Sequence, residues 1–448
     1  MTARTVKKIT RPGRDTVSRE FTFARDMIPT LNGSGAGFVE AYRARAWEAA
    51  QNLPLPHTAL EAWRRTDLRG LEVGAFVLPG NGTTVNPAPV PVELLQPLVG
   101  DTHGGQIVLK PGGSEIELLP SLAARGLIFT DYETAERQHP EILQKILGYA
   151  VDASANKLSA LTATFARRGV VLYVPRNLEV ELPLHSVLWA AGEGLAHFSH
   201  ILIYLEDGAS VTYVHEAASP DGGAQTLHAG IIEGYVGANA NLRFVELQSL
   251  GDNVWNFMHE RIRVARDGNV DWMIGALGTR LTKTFSDLDL DGEGAHARMS
   301  GFFFTDGNQH LDQDTQQNHH APHTTSDLLF KGALRGHSRS VWQGMIYVAP
   351  RAQKTDGYQA NRNLILEPTA RADSIPGLEI LADDVRCTHG ATVGKIDPEH
   401  LFYLLSRGIP KSEAERLIVE GFFAPIMDRI LFEGVRDRFF QAIQRKLN

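Results

Sequence analysis

Short β-branched and aromatic runs recur across residues 169–394 with no helical pattern between them. They include Val170-Val-Leu-Tyr-Val, Ile201-Leu-Ile-Tyr-Leu, Val211-Thr-Tyr-Val, Ile231-Ile-Glu-Gly-Tyr-Val and Leu242-Arg-Phe-Val-Glu-Leu. Arg261-Ile-Arg-Val, Asp287-Leu-Asp-Leu, Gly301-Phe-Phe-Phe and Val341-Trp-Gln-Gly-Met-Ile-Tyr-Val continue the series. Turn dipeptides punctuate it at Asp207-Gly208, Asp267-Gly268, Asp291-Gly292, Asp306-Gly307 and Asp356-Gly357. One such run cannot cover its own apolar face, so each must stack on its neighbours. Regular spacing without helices predicts a stacked all-β unit, either a solenoid or a sandwich. The pattern alone does not choose between them.

Helical periodicity flanks this unit. Phe38, Tyr42, Ala46 and Ala49 predict a helix over residues 36–51, ended by Leu53-Pro-Leu-Pro-His. Trp63 is expected to anchor the N-terminal region by packing, and residues 80–91 read as a Gly/Pro/Asn-rich linker. Strands are expected at Glu115-Ile-Glu-Leu-Leu and Gly126-Leu-Ile-Phe, a single helix over 134–147, and a short one over 156–166. Beyond Gly394, Asp397 reads as an N-cap with Pro398 at the first helical position and Gly408 as the stop. Ser412 with Glu415 reads as a capping box, and Pro425 as the start of a last helix carrying Ile426, Ile430, Val435, Phe439 and Ile443 on one stripe. Four segments follow: a basic disordered tail (1–20), a largely helical mixed region (21–166), the β core (167–396) and a helical C-terminal domain (397–448).

A net charge of −8 argues against a general nucleic-acid binder. No apolar run reaches membrane-spanning length and no signal-peptide core follows Met1, so a cytoplasmic protein without a membrane partner is expected. The single cysteine, Cys387, excludes an internal disulfide framework and four-cysteine coordination of a cluster by this chain alone.

Candidate chemistry is sparse. There is no Gly-x-x-x-x-Gly-Lys-Ser/Thr loop, and Gly33-Ser-Gly-Ala-Gly follows no strand, so nucleotide binding is not expected. His310, His319, His320, His323 and His337, with Asp312 and Asp314, suggest a metal site on composition. Adjacent His319 and His320 would face opposite ways in an extended chain, which favours loop or ladder positions. Asp356-Gly-Tyr-Gln-Ala-Asn-Arg-Asn-Leu reads as turn and ladder residues, with Arg362 an alternative subunit contact. Asp287, Asp289 and Asp291 are acids of the kind polysaccharide-active β-helix enzymes use, the main alternative class. Cys387 and His389 stand two apart; in a strand they share one face about 7 Å apart and can reach one soft metal or iron–sulfur unit. The bland alternative is a buried structural cysteine beside an ordinary hydrogen-bonding histidine.

Asp327-Leu-Leu-Phe-Lys-Gly-Ala-Leu, Ala352-Gln-Lys-Thr-Asp-Gly-Tyr-Gln-Ala-Asn-Arg-Asn-Leu, Ile375-Pro-Gly-Leu-Glu-Ile, Cys387-Thr-His-Gly-Ala-Thr-Val-Gly and Leu401-Phe-Tyr-Leu-Leu-Ser-Arg-Gly-Ile, in that order, resemble the SufB/SufD family. Cys-Thr-His-Gly-Ala, where SufB proteins usually carry Glu-His-Glu-Ala, and Glu61-Ala-Trp-Arg-Arg-Thr-Asp-Leu resemble the SufD branch. The resemblance implies a right-handed parallel β-helix core and a non-catalytic scaffold subunit that builds iron–sulfur clusters with SufB and the ATPase SufC. It implies SufB pairing through Asp384, Val385, Arg386, Cys387, Thr388, His389, Gly390, Ala391 and Thr392. It implies SufC docking on the terminal helices, through Leu401, Phe402, Leu405, Leu417, Phe422, Phe423 and Ile426. Cys387 and His389 would hold iron or a nascent cluster shared with SufB. A homodimer, as an isolated subunit or a SufB-like scaffold, is the other arrangement it allows. A flavin is associated with such complexes, and nothing in this sequence locates one.

Overall fold

A computed structural model of the chain describes residues 20–30, 36–79, 88–96, 103–430 and 432–447. The basic tail through residue 19, the Gly33 segment up to residue 35 and residues 80–87 of the expected linker lie outside the described residues. The β-rich runs form a parallel solenoid whose successive strands alternate between a ten-stranded and a nine-stranded sheet. Trp255 pairs with Leu281, and Leu281 with His310, so one turn takes 26 and then 29 residues. The parallel register settles the choice in favour of a solenoid. Antiparallel pairing is confined to the start, where Gly113–Leu118 closes on Gly105–Lys110 and Ile128–Asp131 on Arg168–Val174.

The corners use residues that tolerate left-handed backbone: Asn177, Asn239, Asp267 and Gly208 all have positive φ. Asp356-Gly357 departs from expectation, because it opens the strand Asp356–Ile365 and is not a turn. Its corner lies two residues earlier, at Lys354 with φ +61°. Between the sheets, alternate side chains interdigitate. An added Cβ at Gly301 would meet the Phe330 ring at 2.2 Å, and one at Gly332 the Phe303 ring at 2.0 Å, so each glycine is the slot for a neighbouring ring. The histidine-rich stretch His310–His319 is a central strand of the nine-stranded sheet, with His319 buried between Thr324 and Ser326 at 2.7 and 2.8 Å.

The N-terminal region covers the outer face of the nine-stranded sheet. Trp63 is buried against Phe257 and Phe285, with ring centroids 6.0 and 5.8 Å away, as its anchoring role requires. Helices Ala36–Asn52 and Lys157–Phe165 lie where periodicity places them, the latter with Asn156 and Ser159 in a reciprocal capping box. The helix expected over 134–147 is two, Tyr132–Gln138 and Pro140–Ile146, because Pro140 forces His139 out of the helical region to φ −133°. On the sheet face beneath, Lys283 and Asp312 are both fully buried, 2.9 Å apart, and Asp312 also accepts the Thr66 hydroxyl.

The C-terminal helices are Pro398–Ser406, Lys411–Met427 and Glu433–Leu447. The Asp397 carboxylate caps the first, accepting from the Glu399 N–H at 2.8 Å. The Ser412–Glu415 capping box does not form: Pro410 is the N-cap, Lys411 opens the helix, and Ser412 already lies inside its first turn. Pro425 does not start the last helix but sits in the final turn of the second, where it withholds one backbone N–H and crowds the Gly421 carbonyl. Phe423, Ile426, Val435, Phe439 and Ile443 pack with Phe302, Leu329, Ala360 and Leu364 on the outer face of the ten-stranded sheet. Burying each large apolar side chain there contributes about 1.5–3 kcal/mol.

Asp312→Ala should leave the buried Lys283 ammonium only the more distant Asp314, 3.8 Å away, and cost about 3 kcal/mol. A urea-unfolding midpoint equal to that of the unaltered chain would show the pair to be dispensable.

Candidate functional site

The solenoid ends on two strands with a neighbour on one side only. Arg386–Lys395 terminates the ten-stranded sheet and Arg371–Ile380 the nine-stranded one. Each is hydrogen-bonded on its inner side and leaves a row of N–H and C=O groups for an added strand. The corner before the terminal strand is fixed from behind. Lys354 N–H donates to the Asp384 carbonyl at 2.6 Å, the Lys354 ammonium pairs with the Asp384 carboxylate, and Asp384 N–H donates to Gln353 Oε1 at 2.8 Å.

In this strand Cys387 lies opposite Gly357, and His389 opposite Gln359. Gly357 and Gln359 are buried between the sheets, so strand alternation turns Cys387 and His389 the same way, toward the mouth of the solenoid. An added Cβ on Gly357 would lie 3.3 Å from Cys387 Sγ and 3.3 Å from Ile346, so this glycine makes room for the thiol. Val385 and Cys387 pack on an apolar floor of Ile346, Val348, Ala352 and Ala382. Burial pushes the Cys387 thiol above its ordinary pKa, and the nearby Asp356 carboxylate adds to the effect. Thr388, His389, Ala391 and Thr392 are exposed, Gly390 is half-buried, and Arg386 reaches 3.9 Å from Asp356.

Among the described residues no group of three or more His, Cys, Asp or Glu side chains could hold a metal ion. Cys387 and His389 are two potential donors on one face of an edge strand. The His310–His337 histidines do not gather. His310 contacts Thr66 Oγ at 3.3 Å and is pushed down to about 4 by burial, His320 is 4.0 Å from Asp289, and His323 and His337 are exposed. Asp287 and Asp291 are bound by Arg261 and Arg263, and Asp289 accepts from Asn318, so these acids form an ion-pair ladder. Arg362 is exposed on the outer face.

The terminal helices divide sharply. Phe402 is 72% exposed, and Leu405 and Leu417 are exposed with it; Leu401 and Phe422 are half-buried. Phe423 and Ile426 are fully buried against the solenoid and offer no surface, because the second helix turns that face inward. Tyr403 on the first helix, and Leu378, Ile380, Leu381 and Val393 at the solenoid mouth, are exposed apolar side chains that periodicity did not single out. Only the end position of their strands makes them surface, and a single run does not reveal which strand is last.

This geometry has a family behind it. A model described as "SUF system FeS cluster assembly, SufBD core domain" matches residues 188–422, and one described as "SufBD protein N-terminal region" matches residues 115–185. The chain belongs to the SufBD family of iron–sulfur cluster assembly proteins. Its likeness is to the SufD branch: it is 30% identical over 410 residues to the iron–sulfur cluster assembly protein SufD of Bacillus subtilis, covering 90% of this chain and 93% of that one. SufBD family proteins of Staphylococcus saprophyticus and Staphylococcus epidermidis are 32% and 31% identical over 312 residues, 70% of this chain and 67% of theirs. No helix among the described residues is long and apolar enough to cross a membrane.

Because burial raises the Cys387 pKa, alkylation of the isolated chain near neutral pH should be slower than that of a free thiol. The rate should keep climbing at pH values where the free thiol has levelled off. Mass-spectrometric labelling rates matching a model thiol throughout would contradict this environment.

Proposed function

We propose that this chain is a non-catalytic SufD-like subunit that pairs with SufB across its last rung, docks the ATPase SufC on its C-terminal helices, and lends Cys387 and His389 to iron entry or nascent-cluster formation. The observation that carries the reading is a thiol and an imidazole on one face of an unpaired edge strand, too few to hold a metal alone. Such an edge accepts another strand by backbone hydrogen bonding, and the exposed Leu378, Ile380, Leu381 and Val393 add apolar area. A stable pair buries about 1,200–2,000 Å² in total. Without SufB, a second copy of this chain fits the same edge. Iron here is cargo, and SufB completes its coordination.

In this complex the Cys387 thiolate is the soft donor and His389 the second donor. A bound metal favours loss of the thiol proton, against the burial that holds it on. The exposed Phe402, Tyr403, Leu405 and Leu417 form the SufC surface. ATP is hydrolysed in SufC, and this chain transmits the resulting movement to the shared edge.

Reconstitution with SufB and SufC tests each part. Cys387→Ser and His389→Ala should each lower iron and sulfide loading about tenfold or more while assembly and ATP hydrolysis persist. Phe402→Asp with Leu405→Asp should abolish SufC co-purification and leave the SufB pair intact. Normal loading in both ligand variants defeats the site assignment, and retained SufC binding defeats the docking surface.

A further inference from the structure

Arg261 lies opposite Asp287 in one sheet and Arg298 opposite Asp271 in the other, and each pair is hydrogen-bonded. Lys331 and Arg362 break that pattern. They stand directly opposite one another on the outer face of the ten-stranded sheet, in the paired strands Thr325–Leu334 and Asp356–Ile365. Like charges in that position repel. Lys331 is buried, donates to the Phe422 carbonyl at 2.5 Å and lies 4.6 Å from the centre of the Phe422 ring; neither contact carries a full negative charge. Burial pushes its ammonium down to about 8, and the Arg362 charge adds to the effect. Acids on the same strand and on the covering helix are engaged elsewhere: Asp327 pairs with Arg429 at 3.1 Å, and Glu420 with Arg416 at 2.5 Å. Arg362 is exposed and forms no ion pair among the described residues.

The way from Arg362 to the open edge is clear. Its next ladder neighbour is Thr392 in the terminal strand, with Gly390 and Gly394 on either side of it on the same face. Thr392 is exposed, and a Cβ added at either glycine would meet nothing within 4 Å. Adjacent strands are about 4.8 Å apart, less than the length of an extended arginine side chain. Lys331 is pinned behind Arg362 by the Phe422 contact, so repulsion favours a guanidinium directed away from it, across Thr392 toward the bare edge. A strand added there sets one side chain beside Thr392 on this face. The guanidinium fork matches a carboxylate at that position with two parallel hydrogen bonds.

We propose that Arg362, braced by Lys331, selects the partner of this edge by binding a carboxylate on the outer face of the added strand. The inference deepens the reading of Arg386–Lys395 as the SufB surface and rests on it. A second copy of this chain is the poorer match. Its terminal strand carries Arg386, His389 and Lys395 and no acid, so pairing through that strand leaves the two cations uncompensated and brings more of the same sign. An acidic strand instead relieves a repulsion that the isolated chain tolerates, and its attraction steers encounter as well as holding the pair. Arg362 is a specificity residue of the edge and takes no part in the chemistry of Cys387 and His389.

Arg362→Gln and Arg362→Lys in the full chain test it. Arg362→Gln removes one of two like charges, so it should raise the urea-unfolding midpoint of the isolated chain in low salt. The gain should vanish when Lys331→Met is already in place. Affinity for SufB, measured by titration calorimetry, should fall about tenfold in low salt and lose part of its salt dependence. Arg362→Lys, which keeps the charge and loses the fork, should fall in between. Self-association, followed by analytical ultracentrifugation, should tighten in Arg362→Gln. SufB affinity and salt dependence unchanged in Arg362→Gln would overturn the proposal, as would self-association weaker than that of the unaltered chain. Leu378→Asp with Val393→Asp probes the edge separately, since both side chains are exposed at the solenoid mouth. SufB binding that survives this change defeats the edge reading and the selection with it. Binding lost here but unmoved by Arg362→Gln overturns the selection alone.

Discussion

A parallel ladder of backbone hydrogen bonds has two ends, and a protein built on one must dispose of both. Here the disposal is unequal. At the start, the antiparallel strands Gly113–Leu118 and Ile128–Asp131 cover the first rung. At the finish, Arg371–Ile380 and Arg386–Lys395 are left bare in both sheets. Natural sheets normally blunt such edges with charges, bulges or a covering helix. This edge carries Pro376, Glu379, Arg386 and Lys395, yet beside them it exposes Leu378, Ile380, Leu381 and Val393. The sole cysteine lies on the same rung, where the ladder fails to close.

The rest of the architecture leaves that end free. The N-terminal region covers the outer face of one sheet through Trp63 and the Thr66–Asp312–Lys283 contact, and the C-terminal helices cover the other through Phe423 and Phe439. With both faces clothed, the mouth of the solenoid and the outer side of Pro398–Ser406 are where exposed apolar side chains concentrate. Charges at depth are handled by pairing or by protonation. Lys283 has Asp312 at 2.9 Å, and burial holds the Glu246 and Glu260 carboxyls above the usual carboxylate range.

Much of this was legible in the residues. Runs with apolar alternation, such as Ile201-Leu-Ile-Tyr-Leu, read as strands because one inward face is aliphatic. His310–His319 and Asp356–Ile365 did not, because their inward positions are Gln, Thr, His and Asn meeting polar groups on adjacent rungs. Local pattern has no term for a polar interior. The helix ends went wrong at prolines. Pro140 splits what reads as one helix over 134–147, Pro410 is the N-cap where Ser412 reads as one, and Pro425, read as a helix start, lies inside a final turn. At the site, the two-residue spacing placed Cys387 and His389 on one face correctly. That Arg386–Lys395 is an edge, and that Phe423 and Ile426 are interior, depends on contacts between distant parts of the chain.

Only Ile396 and Asp397 separate the terminal strand from the helix Pro398–Ser406. So short a link has almost no slack, and a load on the helix arrives at the Lys395 end of the strand. Pulled from there, the strand would peel from Asp356–Ile365 in zipper fashion, the Ile365–Lys395 pair parting first. Peeling breaks bonds one at a time and needs far less force than sliding ten pairs at once. Cys387, paired with Gly357 near the far end of the seam, would be among the last positions to let go. A pull on this helix would therefore open the seam by degrees along the strand, with the thiol at the stiff end.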